Sequence, residues 1–216
     1  MIITAAEFDF AAYQSGKWGD HLIIHGDCRD VLPKIPDKAI DLVWTSPPFK
    51  EEDVDGDYWT LYDEWYRAMF RVAGKVLGIT HSATKLNHLI ATYPPSRTLI
   101  WSKGMVKYSW RFNPMLVYQI DDSYSVNKRI WSDVFGVPPL FQREIEKVHK
   151  YQDPLKLYST IFAMFKECRV VLDPFGGSCT TMLAAANLGM KSICIEIEYS
   201  RCLAAEQRLA QEVLAL

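Results

Sequence analysis

Two short stretches of this 216-residue chain carry residue types whose spacing could do chemistry. The first is Thr45-Ser46-Pro47-Pro48-Phe49, which closes the apolar run Ile40-Asp41-Leu42-Val43-Trp44. Pro47 and Pro48 have no N–H and a fixed φ, so a strand cannot continue through them. Each also drives the residue before it toward an extended conformation. A stiff loop follows, with outward carbonyls, a hydroxyl at Ser46 and an aromatic ring at Phe49. It stands at the carboxyl end of a strand, where open α/β sheets bind ligands. Rigid carbonyls beside a flat ring suit a planar group carrying an NH2. The competing reading is an ordinary Pro-Pro turn with a core Phe.

The second stretch is Val170-Val171-Leu172-Asp173-Pro174-Phe175-Gly176-Gly177-Ser178-Cys179-Thr180-Thr181, a strand running through a glycine pair into a helix. Glycines let backbone approach a ligand closely, and a helix start offers free N–H groups. Glu196 lies 23 positions after Asp173, and an acidic residue about 20 positions on is the usual partner of ribose hydroxyls. A ligand-free tight turn is one alternative. A dinucleotide oxidoreductase is another, but Gly-Gly in place of Gly-x-Gly-x-x-Gly favours a ligand with ribose and no phosphate.

The elements that must position these stretches alternate in type. Strands are expected at Leu22–His25, Ile40–Thr45, Val76–Thr80, Thr98–Ser102, Met115–Ile120, Val170–Asp173 and Ser192–Glu196. Helices are expected at Tyr58–Lys75 (ended by Gly74), His81–Thr92, Leu155–Phe165, Thr180–Leu188 and Ser200–Leu216. Lys50–Asp57 is acidic and polar, which suits a mobile surface loop. Such alternation implies an α/β fold with a largely parallel sheet.

The length suits one domain. Apolar content of 49% and charged content of 23% are those of a soluble globular protein. Neither a membrane-spanning apolar run nor a basic head with an apolar core at the N-terminus is found, so no membrane association and an intracellular, cytoplasmic location are expected. Five cysteines without a Cys-x-x-Cys pair argue against a metal site or a disulfide framework. Net charge is −2, yet Arg97–Lys156 holds ten Lys/Arg against six Asp/Glu. A locally basic segment fits a phosphate-facing surface, or merely a solvated face.

In this order the motifs resemble the amino-group (N4-cytosine/N6-adenine) DNA methyltransferases of the permuted β class, over about Leu22 to Leu209. Gly26-Asp27-Cys28 resembles the family's start, and Thr45–Phe49 its catalytic (Asp/Asn/Ser)-Pro-Pro-(Tyr/Phe) motif. Trp101-Ser102-Lys103 and Arg129-Ile130-Trp131 resemble weaker shared patches. His149-Lys150-Tyr151-Gln152-Asp153-Pro154 is similar to a His-Pro-x-Gln-Lys-Pro segment, with Lys150 and Asp153 replacing Pro and Lys. Asp173–Thr181 resembles the S-adenosylmethionine loop, with Cys179 in place of a Gly, which is expected to narrow it. The resemblance implies a Rossmann-like fold with a largely parallel seven-stranded sheet and a circularly permuted motif order, in a single domain over 1–216. A short target-recognition region around 104–150 is implied as well, with DNA as partner, homodimers allowed, and a prokaryotic or viral type of host.

It further implies Asp27, Cys28, Thr45, Gln152, Asp173, Phe175, Gly176, Gly177, Ser178, Thr180 and Glu196 at S-adenosylmethionine. Ser46, Pro47, Pro48 and Phe49 would act on an exocyclic amine, the Ser46 hydroxyl and Pro47 carbonyl accepting from the NH2 while Phe49 stacks on the base. Ser at the head of the motif points to cytosine N4; Asp there would point to adenine N6. Lys103, Lys107, Arg111, Lys128 and Arg129, with Tyr108 and Trp110 interleaved, are the candidates for phosphate contact. A catalytically silent cofactor or DNA binder, and methyl transfer to RNA or a protein glutamine, are the competing readings.

Overall fold

The computed structural model describes residues 1–103, 111–124, 132–136, 153–165 and 167–213. Its strands are β1 (Ile2–Thr4), β2 (His21–His25), β3 (Ile40–Thr45), β4 (Ala73–Thr80), β5 (Arg97–Ser102), β6 (Phe112–Gln119), β7 (Val134–Gly136), β8 (Val170–Asp173) and β9 (Lys191–Glu196). The α-helices are α1 (Phe10–Gln14), α2 (Cys28–Val31), α3 (Tyr58–Val72), α4 (Leu86–Thr92), α5 (Leu155–Phe162), α6 (Thr180–Asn187) and α7 (Tyr199–Val213). One sheet joins all nine strands in the order β1-β2-β9-β8-β3-β4-β6-β5-β7. Among the described strands only β6 runs against the rest, pairing antiparallel with β4 and with β5. The sheet is thus largely parallel as expected, but with nine strands among the described residues instead of seven. The additional β1 and β7 are three-residue edge strands, too short to show a periodicity.

Strand alternation sorts the core into two faces. Leu22, Ile24, Val43, Leu77, Leu172 and Ile193 pack with the α3 residues Tyr62, Trp65 and Met69. Leu42, Trp44, Val76 and Val171 pack instead against Phe162 of α5 and Ala184 and Ala185 of α6. In α3 the buried positions Tyr58, Tyr62, Trp65, Met69 and Val72 form a single stripe. Each such burial stabilises by roughly 1.5–3 kcal/mol. Asp57 starts that helix by accepting the Thr60 N–H at 2.8 Å.

Gly74 does not end α3. The helix stops at Val72 and Gly74 is already in β4, where a Cβ would lie 2.6 Å from the Lys38 carbonyl oxygen. The residue is small because backbone passes close by, not because a helix is capped. Lys50–Asp57 is also less open than expected: Glu51–Asp53 forms a 3-10 turn, and Glu51 pairs with Lys85 at 2.9 Å. Within the expected recognition region, the described residues 111–124 and 132–136 hold β6, β7 and their flanks.

The topology decides where a ligand can sit. From β3 the chain crosses through α3 to β4 on one side, and from β8 through α6 to β9 on the other. Between β3 and β8, which pair directly through Leu42↔Val171 and Val43↔Leu172, the winding direction reverses. The loops leaving their carboxyl ends diverge and open a crevice.

Candidate active site

Both stretches singled out in the sequence leave that switch point and line one cavity of about 590 Å³, within the range of about 300–1,000 Å³ found for small-molecule sites. Ser46, Pro47, Pro48 and Phe49 form one wall. Asp173, Phe175, Gly176, Gly177, Ser178 and Thr180 form another, and Asp27, Cys28 and Glu196 complete it. One described residue stands elsewhere. Thr45 is fully buried behind the wall. Gln152, like Lys107, Lys128 and Arg129, lies outside the described residues.

Thr45 and Thr181 brace Asp173. Thr45 Oγ1 donates to Asp173 Oδ1 at 2.5 Å, Thr181 Oγ1 to Oδ2 at 2.6 Å, and the Phe175 N–H to Oδ1 at 3.1 Å. Burial pushes the Asp173 carboxyl up to about 6 against these hydrogen bonds, which hold it down. Asp173 thereby fixes the start of the glycine loop. Trp65 of α3 holds Phe175 edge-on at 5.0 Å. Gly176 donates to the Ile195 carbonyl at 2.8 Å, and a Cβ there would meet that oxygen at 3.2 Å. Gly177 takes a φ of +53° and donates its N–H to Glu196 Oε2 at 2.7 Å. Glu196 Oε1 accepts from the Glu198 N–H at 2.9 Å. The carboxylate is thus aimed from both sides at the tip of β9, with lone pairs left on both oxygens.

Cys179 does not narrow the cavity. It adopts φ +50° and is buried beneath the loop with Ile23, Met182, Cys194 and Cys202, away from the lining. All five cysteines are free and buried. Asp27 lines the cavity while capping α2 through the Arg29 N–H at 2.8 Å, and Arg29 pairs with it at 2.7 Å. That pairing with Arg29 leads the effects that hold the Asp27 carboxyl below its usual range. Cys28 sits beside it, its thiol pushed up to about 12 by burial.

The Pro-Pro wall is positioned by residues the motif itself does not contain. Ser82 donates its N–H to His81 Nδ1 at 2.7 Å, which leaves the ring proton on Nε2. Nε2 faces Tyr58 Oη at 2.8 Å, so Tyr58 gives its own proton to the Pro48 carbonyl at 2.7 Å. Burial lowers His81 to about 3, keeping it neutral, and its ring packs against Phe49 at 4.9 Å between centroids. The Pro48 carbonyl is therefore engaged by Tyr58. On the other side Ser46 Oγ contacts Asp153 Oδ2 at 3.3 Å and Tyr158 Oη at 3.2 Å. Sequence reasoning did not foresee Tyr58, His81 or Tyr158. Asp153 stood out only as a departure from a motif.

Of the predicted basic residues, Arg111 is exposed at the start of β6. Lys103 is half-buried, its ammonium 5.0 Å from the Trp101 ring. Burial lowers its pKa and the charge of Asp153 raises it. Among the described residues no helix is long and apolar enough to cross a membrane.

The profile of the N6/N4 methylase family, described as DNA methylase, matches residues 98–207, about half of the chain. The type II methyltransferase M.HinfI of Haemophilus influenzae is 24% identical over 245 aligned positions, covering 88% of this chain and 68% of that one. Among solved structures, TTHA0409 of Thermus thermophilus, in complex with S-adenosylmethionine, superposes with a TM-score of 0.69 at 23% identity, over 89% of this chain and 94% of that one. The cytosine-N4-specific PvuII DNA methyltransferase gives a TM-score of 0.71 at 15% identity, over 89% and 91%. The architecture is the Rossmann-like fold of S-adenosylmethionine-dependent methyltransferases, with the Ser46 loop ahead of the Asp173 loop in the permuted order.

Proposed function

The chain belongs to the N6/N4 DNA methylase family, and from that premise we propose that it moves a methyl group from S-adenosylmethionine to N4 of cytosine in DNA. One observation carries the proposal: the Ser46–Phe49 loop and the Asp173–Thr180 loop face a single cavity from the two sides of the switch point. The residues present fit the cofactor. Gly176 and Gly177 permit close approach, Glu196 presents carboxylate oxygens to ribose hydroxyls, and Asp27 and Cys28 border the adenine. When bound, S-adenosylmethionine supplies an electrophilic methyl group.

The protein's own contribution is to orient the acceptor. An exocyclic amine is buried in a duplex, so the base is flipped into the pocket or met in single-stranded DNA. Its lone pair is conjugated with the ring and poorly nucleophilic. Hydrogen bonds from the NH2 to Ser46 Oγ and the Pro47 carbonyl favour a tetrahedral nitrogen, and Phe49, backed by His81, stacks on the base. Such catalysis is mainly orientation and electrostatic placement. The Ser46 hydroxyl at the head of the loop supports cytosine. Lys103, Lys107, Arg111, Lys128 and Arg129 are proposed to meet DNA phosphates, in a single domain whose target recognition is placed around 104–150.

The test is incubation with methyl-deuterated S-adenosylmethionine and mixed-sequence DNA, followed by nucleoside digestion and mass spectrometry. Label in N4-methylcytosine is expected. Label in N6-methyladenine would overturn the choice of base, and label in RNA alone would overturn the choice of polymer.

A further inference from the structure

The Ser46 hydroxyl faces a demand it cannot meet alone. An amine that gains a methyl group must shed a proton, and a serine hydroxyl, itself a very weak base, can accept that proton only if its own has somewhere to go. Asp153 supplies the place. Its Oδ2 accepts from Ser46 Oγ at 3.3 Å and from Tyr158 Oη at 2.5 Å, and the two hydroxyls lie 3.2 Å apart. Ser46, Asp153 and Tyr158 all line the cavity.

The arrangement is rigid. Tyr158 is buried in the first turn of α5, its ring edge-on to Trp44 at 6.5 Å and stacked on Phe162 at 5.9 Å. Both hydroxyl protons can point at the carboxylate, which leaves the lone pairs of Ser46 Oγ turned to the cavity as acceptors. The charged groups acting on this corner from neighbouring elements are Lys103, just after β5, and Asp173 of β8. Burial raises the proton affinity of Asp153, while the hydrogen bonds from Tyr158 and Ser46 and the charge of Lys103 oppose that rise.

We propose that Asp153 is the proton acceptor of this site, acting through Ser46 and oriented by Tyr158. The inference rests on the methyltransferase reading given above. As the nitrogen–methyl bond forms and the methyl–sulfur bond breaks, with its electron pair staying on sulfur, the amine proton passes to Ser46 Oγ. The Ser46 proton passes in the same movement to Asp153 Oδ2. Asp153 ends neutral, holding the one proton that the exchange releases, and returns it to water through the open cavity. Asp153 is a positioning and proton-accepting residue here, and Ser46 the catalytic one that touches the amine.

The experiment is the pH dependence of single-turnover methyl transfer by wild type, Asp153→Asn, Asp153→Glu and Tyr158→Phe, with S-adenosylmethionine affinity measured alongside by calorimetry. Wild type should lose rate on the acid side along a one-proton limb, because only ionised Asp153 can accept. Asp153→Asn should transfer roughly 100-fold more slowly, the lower end for a positioned proton acceptor, and lose that limb while binding cofactor within about threefold of wild type. Asp153→Glu should restore the limb and part of the rate. Tyr158→Phe removes a hydrogen bond that favours the carboxylate, so its limb should move to higher pH. An Asp153→Asn enzyme that keeps the limb, or transfers within threefold of wild type, overturns the inference and leaves the methyltransferase reading standing. A wild-type protein that binds cofactor but methylates no DNA overturns both.

Discussion

Four side chains outside the Pro-Pro motif decide what that motif can do: Tyr58 and His81 behind Pro48, and Asp153 and Tyr158 behind Ser46. Tyr58 donates to the Pro48 carbonyl, so in the proposed function the target amine is left to the Pro47 carbonyl. Tyr58→Phe should slow methyl transfer about tenfold, as for one lost hydrogen bond of about 1–1.5 kcal/mol, without moving cofactor affinity. Single-turnover rates and a calorimetric titration would check this. His81 carries a pH signature of its own. Its folded value of about 3 lies below the ordinary 6.5, so the unfolded chain binds a proton that the folded one refuses. Its contribution to stability is whole above pH 6.5 and is lost as pH falls toward 3, by about 1.4 kcal/mol per unit. Urea denaturation at pH 7.5 and 5 should show a loss of roughly 2 kcal/mol that His81→Gln largely removes. A slope unchanged in the variant would contradict the buried neutral imidazole.

At the level of elements, the site depends on how β3 lies on β4. Trp44 pairs in register with Gly78, and a Cβ on Gly78 would meet the Trp44 ring at 2.1 Å. The ring is fully buried against Phe162 and Phe165, so it has no room to retreat. Gly78→Ala should therefore cost about 3 kcal/mol, the upper end for overpacking, read as a fall in the denaturation midpoint. The strand ending in Ser46 would shift with it. The sequence discloses the β3 boundary well, because Pro47 and Pro48 stop a strand by covalent geometry. It also discloses the glycine loop and Glu196, where local chemistry and spacing suffice. Gly74 misleads, since a glycine kept small by a passing backbone looks the same in sequence as one that caps a helix. Cys179 misleads in a similar way: its αL backbone carries the thiol under the loop, a direction no one-dimensional motif contains. Tyr58, His81, Asp153 and Tyr158 meet the Pro-Pro loop across 10 to 112 positions, and only the folded chain brings them together.

For the molecule as a whole, charge is divided by region. Arg97–Lys156 is basic and the remainder acidic, a division along the chain that suits a phosphate-facing surface in the basic segment. Changing Lys103, Lys107, Arg111, Lys128 and Arg129 together to Ala should weaken DNA binding and flatten its salt dependence by up to about 4.5 in slope, at roughly 0.9 per phosphate contact. An unchanged slope would remove them from the interface. In the proposed function, two loops that diverge at one switch point divide the labour, the cofactor held on the Asp173 and Glu196 side and the target amine on the Ser46 side. The most direct measurement is single-turnover methylation by Ser46→Ala at a cofactor concentration shown by titration to saturate it. Wild-type cofactor affinity and transfer slowed at least about 100-fold are expected. Saturated Ser46→Ala protein that methylates DNA within threefold of the wild-type rate would contradict this division of labour.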